Sequence, residues 1–112
     1  MSVKVRFNGA AELTAALKRN MKEEAVKRIV RQNGAELQAR AQKNAPVDTG
    51  TLKRSIDLEI SDGGLTATVA PGTEYAEYVE FGTRYMNAQP YVKPAFNMQK
   101  EIFKRDLNNL MK

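Results

Sequence analysis

Two pairs of carboxylates are the side chains whose types and spacing could do chemistry. Asp57 and Glu59 lie two residues apart, and Glu77 and Glu80 lie three apart. Either pair could divide the roles of general acid and general base. The sequence contains no histidine and no cysteine, so an imidazole base, disulfides and thiolate metal sites are excluded. No phosphate-binding glycine loop or SxxK motif is present, and no metal or cofactor is expected.

The elements that carry these carboxylates favour solvation over catalysis. The first pair falls on the outer face of a predicted strand, and the second falls on the exterior of a predicted short helix. Carboxylates are rarely buried without a partner, and nothing in the sequence indicates a pocket around either pair. We therefore predict that the protein is not an enzyme, with a hydrolase that uses carboxylates alone as a distant alternative.

The predicted elements of the first half are one strand and two helices. An edge strand covers Val3–Phe7, Asn8–Gly9 turns the chain, and a short helix covers Ala10–Lys18. A longer helix follows to about Asn44, and Ala45–Pro46 ends it because proline disfavours the helical region for the residue before it. The apolar stripe of the longer helix comprises Val26, Ile29, Val30, Leu37 and Ala41.

Asn33–Gly34 interrupts that stripe. Glycine inside a helix costs about 1 kcal/mol relative to alanine. A bend, a close approach by another chain or simple tolerance would each explain its presence. Beyond the helix, Asp48, Thr49 and Gly50 are predicted to fix a turn, with Asp48 accepting hydrogen bonds from the backbone. Their role is expected to be structural.

The second half predicts a hairpin and two further helices. The strands of the hairpin carry Ile56, Leu58 and Ile60 before a turn at Asp62–Gly64, and Leu65, Ala67 and Val69 after it. A short helix is predicted from Glu74, and Pro94 suits the first turn of a final helix. The inward residues of that helix are predicted to be Ala95, Met98, Ile102, Phe103, Leu107 and Leu110.

Residues 1–112 are therefore predicted to form a single domain of the α+β class. A small antiparallel sheet carries the long N-terminal helix region and the C-terminal helix on one face. No apolar run is long enough to cross a bilayer, and the N-terminus lacks the apolar region of a signal peptide. We expect a protein that is made and used in a cytoplasm, without membrane contact.

Charge is distributed unevenly along the chain, whose net charge is +5. Between Lys18 and Arg54 there are ten basic and four acidic residues, whereas Ser55 to Thr83 contains six acidic residues and no basic one. This asymmetry fits contact with DNA, subunits that meet through opposite charges, or two differently charged solvated faces. The candidate residues for a DNA channel or a charged interface are Lys22, Lys27, Arg28 and Arg31. No motif for sequence-specific recognition is present.

The segment Gly72–Phe96 combines aromatic residues with acids. It contains all four tyrosines and two of the four phenylalanines, together with Glu74, Glu77 and Glu80. Such a mixture suits a protein-binding surface better than a core. The candidate interface residues are Glu77, Tyr78, Val79, Glu80, Phe81, Gly82, Thr83, Arg84, Tyr85 and Met86. Core packing under the final helix remains the alternative for Tyr78 and Phe81.

Three blocks of sequence carry a family resemblance. Ala45–Ile56 reads APVDTGTLKRSI, Tyr75–Thr83 reads YAEYVEFGT, and Met86–Ala95 reads MNAQPYVKPA. In this order the blocks resemble the tail-completion, or head–tail joining, proteins in the neck of siphophages and prophages. The resemblance spans about residues 45–96, and several linked motifs make it specific.

That resemblance implies a structural virion protein that assembles in the host cytoplasm. Such proteins form a ring, expected to be hexameric, on the head-proximal end of the tail tube and dock onto the head connector or stopper. The implied partners are other copies of the chain, the tail-tube protein, the connector, and phage DNA in transient non-specific contact. The alternative is a small basic phage-derived protein that binds DNA non-specifically.

The residue-level hypothesis places a subunit contact in the aromatic segment. Tyr78, Val79, Phe81 and Gly82 would pack against a neighbouring copy, and Gly82 would let the chain turn into the loop. The loop 83–89 is expected to be mobile in the free chain and to become ordered on assembly. Glu77 and Glu80 would face basic residues across the contact.

Overall fold

The chain folds as one three-stranded sheet with five helices among the residues described by the computed structural model, namely 3–19, 22–46 and 50–112. The elements are β1 (Val5–Asn8), α1 (Ala10–Lys18), α2 (Glu23–Asn44), α3 (Gly50–Ser55), β2 (Asp57–Ser61), β3 (Thr66–Ala70), α4 (Ala76–Phe81) and α5 (Val92–Met111). The predicted α+β class is confirmed. Asp48 and Thr49 of the predicted turn lie outside the described residues. Gly50, the third residue of that turn, begins α3, a helix that the sequence did not predict.

The sheet has the order β1-β3-β2, and both pairings are antiparallel. Phe7 pairs with Ala67, which pairs in turn with Ile60. Because side chains alternate along a strand, this row faces the helices, and the next row, Arg6, Thr68 and Glu59, faces away from them. The predicted edge strand and hairpin are therefore both confirmed, and β1 and β2 form the two edges of the sheet.

Helix α2 lies across the sheet and buries the predicted stripe. Val26, Val30, Leu37 and Ala41 have no exposed surface, and Ile29 is half-buried. Gly34 marks the point where the helix comes closest to the strands. A Cβ atom there would lie 2.8 Å from the Cβ of Ala67 and 2.9 Å from a methyl carbon of Leu58. The close approach comes from the protein's own sheet, and α2 continues through Gly34 to Asn44.

Helix α5 packs against α2 and reaches β1 at the edge of the sheet. The Phe7 ring stacks on Phe96 and Phe103, with centroid distances of 5.4 and 4.7 Å. Ala95, Phe103 and Leu107 are buried as predicted, while Ile102 and Leu110 are half-buried.

The prediction for Met98 is wrong, because its side chain is 55% exposed. The buried face of α5 passes through Ala95 and Phe103. At 3.6 residues per turn, the residue between them on that face is Gln99, and Met98 points to the side. None of the helices in the three described ranges is long and apolar enough to cross a membrane.

Candidate functional site

Helix α4 and the loop after it form a surface rich in exposed apolar side chains. The exposed fractions are 57% for Tyr78, 38% for Phe81, 89% for Tyr85 and 40% for Met86. Large apolar side chains clustered on a surface are typical of protein–protein contacts. Val79 differs from these four because it is half-buried and packs against the core. We call Tyr78, Phe81, Tyr85 and Met86 the aromatic surface.

The loop that carries half of the aromatic surface is shaped by Gly82. This residue has φ 78° and ψ 176°, a combination that is essentially restricted to glycine. A Cβ atom at Gly82 would lie 2.7 Å from the backbone nitrogen of Ala88. Two hydrogen bonds between the backbones of Thr83 and Met86, of 2.8 and 3.3 Å, close a tight turn, and Tyr85 lies within it.

The remaining candidate residues lie around this turn. Glu77, Thr83 and Arg84 are exposed, and the Arg84 guanidinium lies 5.6 Å from the centroid of the Tyr85 ring. The loop is tied back to α4 where the Gln89 N–H donates to the Val79 carbonyl at 2.8 Å. Backbone hydrogen bonds therefore join the loop to α4 at its beginning and at its end.

The sequence predicted that Glu80 lies on the exterior of its helix, and this prediction is wrong. The residue is 3% exposed, and its carboxylate accepts three backbone N–H groups at the start of α5. Oε1 accepts from Tyr91 at 3.0 Å and from Val92 at 2.8 Å, and Oε2 accepts from Lys93 at 3.1 Å. The next residue, Pro94, has no N–H group. One carboxylate therefore satisfies the N-terminus of α5 and places a negative charge at the positive end of the helix dipole.

The helical repeat explains why Glu80 separates from the other acids. A step of three residues falls about 60° short of a full turn, so Glu80 points to a different face of α4 from Glu77, while Glu74 lies before the helix. Glu74 and Glu77 are exposed as predicted, whereas Glu80 has turned inward. One signal could have indicated this: Pro90 and Tyr91 offer no capping side chain of the Ser, Thr, Asp or Asn type to the helix that begins at Val92.

A buried polar network between α2 and α5 was also missed by the sequence reasoning. Gln99, which has no exposed surface, donates to Asn33 Oδ1 at 2.7 Å and to Glu36 Oε1 at 2.9 Å. The Arg40 Nε donates to Gln99 Oε1 at 2.8 Å, and Asn33 Nδ2 donates to Asp106 at 3.0 Å. Asn33 could have indicated this network, because it is a polar residue inside the apolar stripe of α2.

Tyr91, whose backbone N–H donates to the Glu80 carboxylate, has no exposed surface. Its hydroxyl oxygen has no hydrogen-bond partner among the residues that the structure describes. Burial, followed by the charge of Glu80 and the proximity of Tyr75, raises the pKa of Tyr91 well above its ordinary value of 10.0. The phenol is therefore neutral at ordinary pH, and Tyr91 belongs to the buried hydrophobic core.

The basic candidates lie apart from the aromatic surface. Lys22, Arg28 and Arg31 are exposed, whereas Lys27 is half-buried and forms an ion pair with Glu23 at 3.0 Å. The Lys27 side chain lies beside Gly64, just before β3, whereas α4 follows the opposite end of that strand. The structure therefore does not bring the basic and aromatic candidates together.

The first carboxylate pair is exposed on the open face of the sheet, as predicted. Asp57 and Glu59 lie on β2 beside Thr68 and Ala70 of β3. In ranges 3–19, 22–46 and 50–112, no three acidic residues are arranged to hold a metal ion.

Comparison with known protein families gives a match that covers more than half of the chain. Residues 10–82 match the family described as "Bacteriophage HK97-gp10, putative tail-component". The protein belongs to this HK97-gp10-like family of phage tail components. The match includes the APVDTG and YAEYVEFG blocks and ends at Gly82. Neither the curated proteins nor the solved structures gave a match.

Family membership confirms the predicted phage tail relationship at a coarse level. A tail component is a structural part of the virion, and it interacts with other structural proteins of the phage. Membership favours a structural role over an enzymatic one. The aromatic surface and the anchored loop are therefore interpreted as parts of an assembly protein.

Proposed function

We propose that the protein forms a homo-oligomeric ring that caps the head-proximal end of the tail tube and joins the tail to the head connector. The observation that carries this proposal is the aromatic surface, because α4 and its loop expose four large apolar side chains within residues 78–86. A side chain such as Tyr85, with 89% of its surface exposed, contributes little to the folded monomer. Its apolar area would be removed from water by a partner.

Within this proposal the candidate residues have different tasks. Tyr78, Phe81, Tyr85 and Met86 contact a neighbouring copy or the tube directly. Glu77, Thr83 and Arg84 form the polar rim of that contact, where charges set orientation more than affinity. Val79, Glu80 and Gly82 act indirectly, because they hold the loop against the body of the domain. Glu80 is not a cross-subunit ion pair here, since its carboxylate is occupied within the chain.

The test replaces exposed aromatic residues that the fold does not need. In the variant Tyr78→Ser/Tyr85→Ser we expect a normally folded monomer that fails to form rings and fails to join tails to heads. Native mass spectrometry and negative-stain microscopy, with and without the tail-tube protein, report on the rings. Complementation of a phage that lacks the gene reports on joining.

The matched control is Leu17→Ser, because Leu17 is also exposed, at 54%, but lies on α1 outside the aromatic surface. We expect this variant to assemble as the parent chain does. Full ring formation and joining by the double tyrosine variant would refute the assigned surface. A parent chain that forms no ring, even with the tube protein present, would refute the ring itself.

We further propose that Arg28 and Arg31 make the transient contacts with passing DNA. Both are exposed and lie one turn apart on α2, without an ion-pair partner among the described residues. Each arginine that binds a phosphate contributes about one unit to the slope of log K against log salt, so removing both should reduce that slope by about two units. A gel-shift titration of Arg28→Gln/Arg31→Gln against the parent chain measures this slope. Strong binding with a steep slope by the isolated parent chain would favour a dedicated DNA-binding protein.

A further inference from the structure

The sheet ends on both sides in strands that have only one neighbour. Within the described parts of the chain, β1 and β2 each pair with β3 alone. An edge strand presents unpaired N–H and C=O groups that can add a strand from another molecule. Each copy therefore has two edges that are available in principle, and these edges differ chemically.

On the open face of the sheet, the two edges carry opposite charges. β1 presents the exposed Arg6, and β2 presents the exposed Asp57 and Glu59. Arg6 and Glu59 lie in the same row of the sheet, on either side of Thr68. A basic edge on one copy is thus complementary to an acidic edge on the next copy, whereas two identical edges would repel each other.

On the helix side of the sheet, both edges expose apolar side chains. A groove beside β1 is lined by Val3, Val5, Phe81, Val92 and Phe96, with Glu80 and Lys93 at its margin. The edge strand β2 exposes 39% of Ile60 on the same side of the sheet. Phe81 also belongs to the aromatic surface, so the groove continues the contact region proposed above.

We infer that copies of the chain associate head to tail, with β2 of one copy added as a strand beside β1 of the next. This inference rests on the proposed ring and specifies how its subunits meet. Asp57 and Glu59 of one copy lie beside Arg6 of its neighbour, and Ile60 enters the apolar groove. The occupant of the groove is a second copy of this chain.

The strand directions determine the geometry of this contact. β1 and β2 are both antiparallel to β3, so they run parallel to each other within one copy. In a ring that repeats the same contact, β2 of the next copy keeps that direction and pairs with β1 in parallel. Because the two surfaces of the contact differ, the association is heterologous, and a ring forms only if the rotation closes.

Cysteine cross-linking tests the pairing directly, because the natural chain contains no cysteine. In Arg6→Cys/Glu59→Cys the two sulfurs cannot bridge within one chain. Their Cα atoms are two strand spacings apart, about 9.6 Å, which exceeds the roughly 7 Å limit for the Cα atoms of a disulfide. A second pair, Arg6→Cys/Asp57→Cys, covers the adjacent register. Mild oxidation of the assembled chain should yield a ladder of covalent oligomers that ends at the size of the ring.

The single variants provide the controls for this ladder. Mixed Arg6→Cys and Glu59→Cys chains should cross-link no further than dimers, because each chain carries only one thiol. Arg6→Cys alone should give no dimers, since β1 does not meet β1. Dimers from Arg6→Cys alone would overturn the head-to-tail arrangement. A ladder that runs past the ring size would support edge pairing and overturn closure.

Charge reversal gives an independent measurement. Arg6→Glu and Glu59→Arg should each weaken self-association by about tenfold in concentration, and the doubly reversed chain should recover it. If the parent chain forms rings, but the double-cysteine variants give no ladder and both charge reversals leave self-association unchanged, the edge pairing is overturned and the ring proposal stays intact. A parent chain that forms no rings at all, even with tail-tube protein, would overturn both.

Discussion

The carboxylate of Glu80 accepts the backbone N–H of Val92 at 2.8 Å, and the two residues are twelve positions apart in the sequence. This contact joins α4 to the first turn of α5 and thereby fixes both ends of the loop that carries Tyr85 and Met86. The assembly surface is consequently positioned by a buried charge, and its own exposed side chains contribute little to that positioning.

Replacing Glu80 should therefore destabilise the monomer. In Glu80→Ala three backbone N–H groups at the start of α5 lose their acceptor, and we expect the free energy of unfolding to fall by about 3 kcal/mol. Glu80→Gln should lower it by a smaller amount, because one oxygen remains. Urea unfolding followed by circular dichroism measures both. The control Glu77→Gln, at an exposed position of the same helix, should stay within about 0.5 kcal/mol of the parent. Equal stabilities for Glu80→Ala and the parent would contradict the anchoring role.

Gly82→Ala should shift the loop and lower stability by about 2 kcal/mol, because alanine at φ 78° and ψ 176° is strained and would collide with the Ala88 backbone. Gly63→Ala is the milder comparison, because φ 65° and ψ 23° lie in the left-handed helical region and no atom lies within 4 Å of the added carbon. We expect it to cost about 1 kcal/mol. Urea unfolding measures both variants, and a Gly82→Ala variant that is as stable as Gly63→Ala would refute the added cost of strain and collision at Gly82.

The polar network should show strong coupling between α2 and α5. Gln99→Leu leaves the buried Asn33 carbonyl oxygen without its donor, and we expect a loss of about 2 kcal/mol. Asn33→Leu/Gln99→Leu removes both buried partners, and the half-buried Glu36, Arg40 and Asp106 can turn to water. A double-mutant cycle should therefore give a coupling energy of about 1 kcal/mol. Strict additivity would mean that the two amides act independently.

Tyr91 should make the fold sensitive to alkali. Because its pKa in the folded chain lies above the ordinary value of 10.0, the folded chain retains the phenolic proton longer than the unfolded chain does. This contribution to stability is complete below pH 10.0 and is lost progressively as the pH rises above it. Tyr91→Phe should lack that loss and should match the parent, or exceed it by about 1 kcal/mol, at neutral pH, because a buried hydroxyl without a partner is removed.

The comparison is made by urea unfolding at a series of pH values. Tyr85→Phe is the control, since its hydroxyl lies on a residue that is 89% exposed. We expect the control to follow the parent chain at every pH. If Tyr91→Phe lost stability in alkali as steeply as the parent, the tyrosine would not be the titrating group.

Local sequence patterns by themselves determined the α+β class and the order of the elements apart from α3, where only a turn was predicted. The alternation in Val5–Phe7 and the helical spacing from Val26 to Ala41 each specify one buried face. Proline and glycine mark the ends of elements because their backbone preferences are intrinsic. The APVDTG, YAEYVEFG and MNAQP blocks, read in this order, indicated the relationship to phage tail proteins.

Tertiary structure alone decided which polar residues are interior. Glu80 is buried because the start of α5 lies against α4, and Gln99 is buried because Asn33 faces it from α2. Gly34 is needed because β3 crosses α2 at that turn. Each outcome depends on a neighbour that is distant in sequence, and a periodic pattern contains no information about that neighbour.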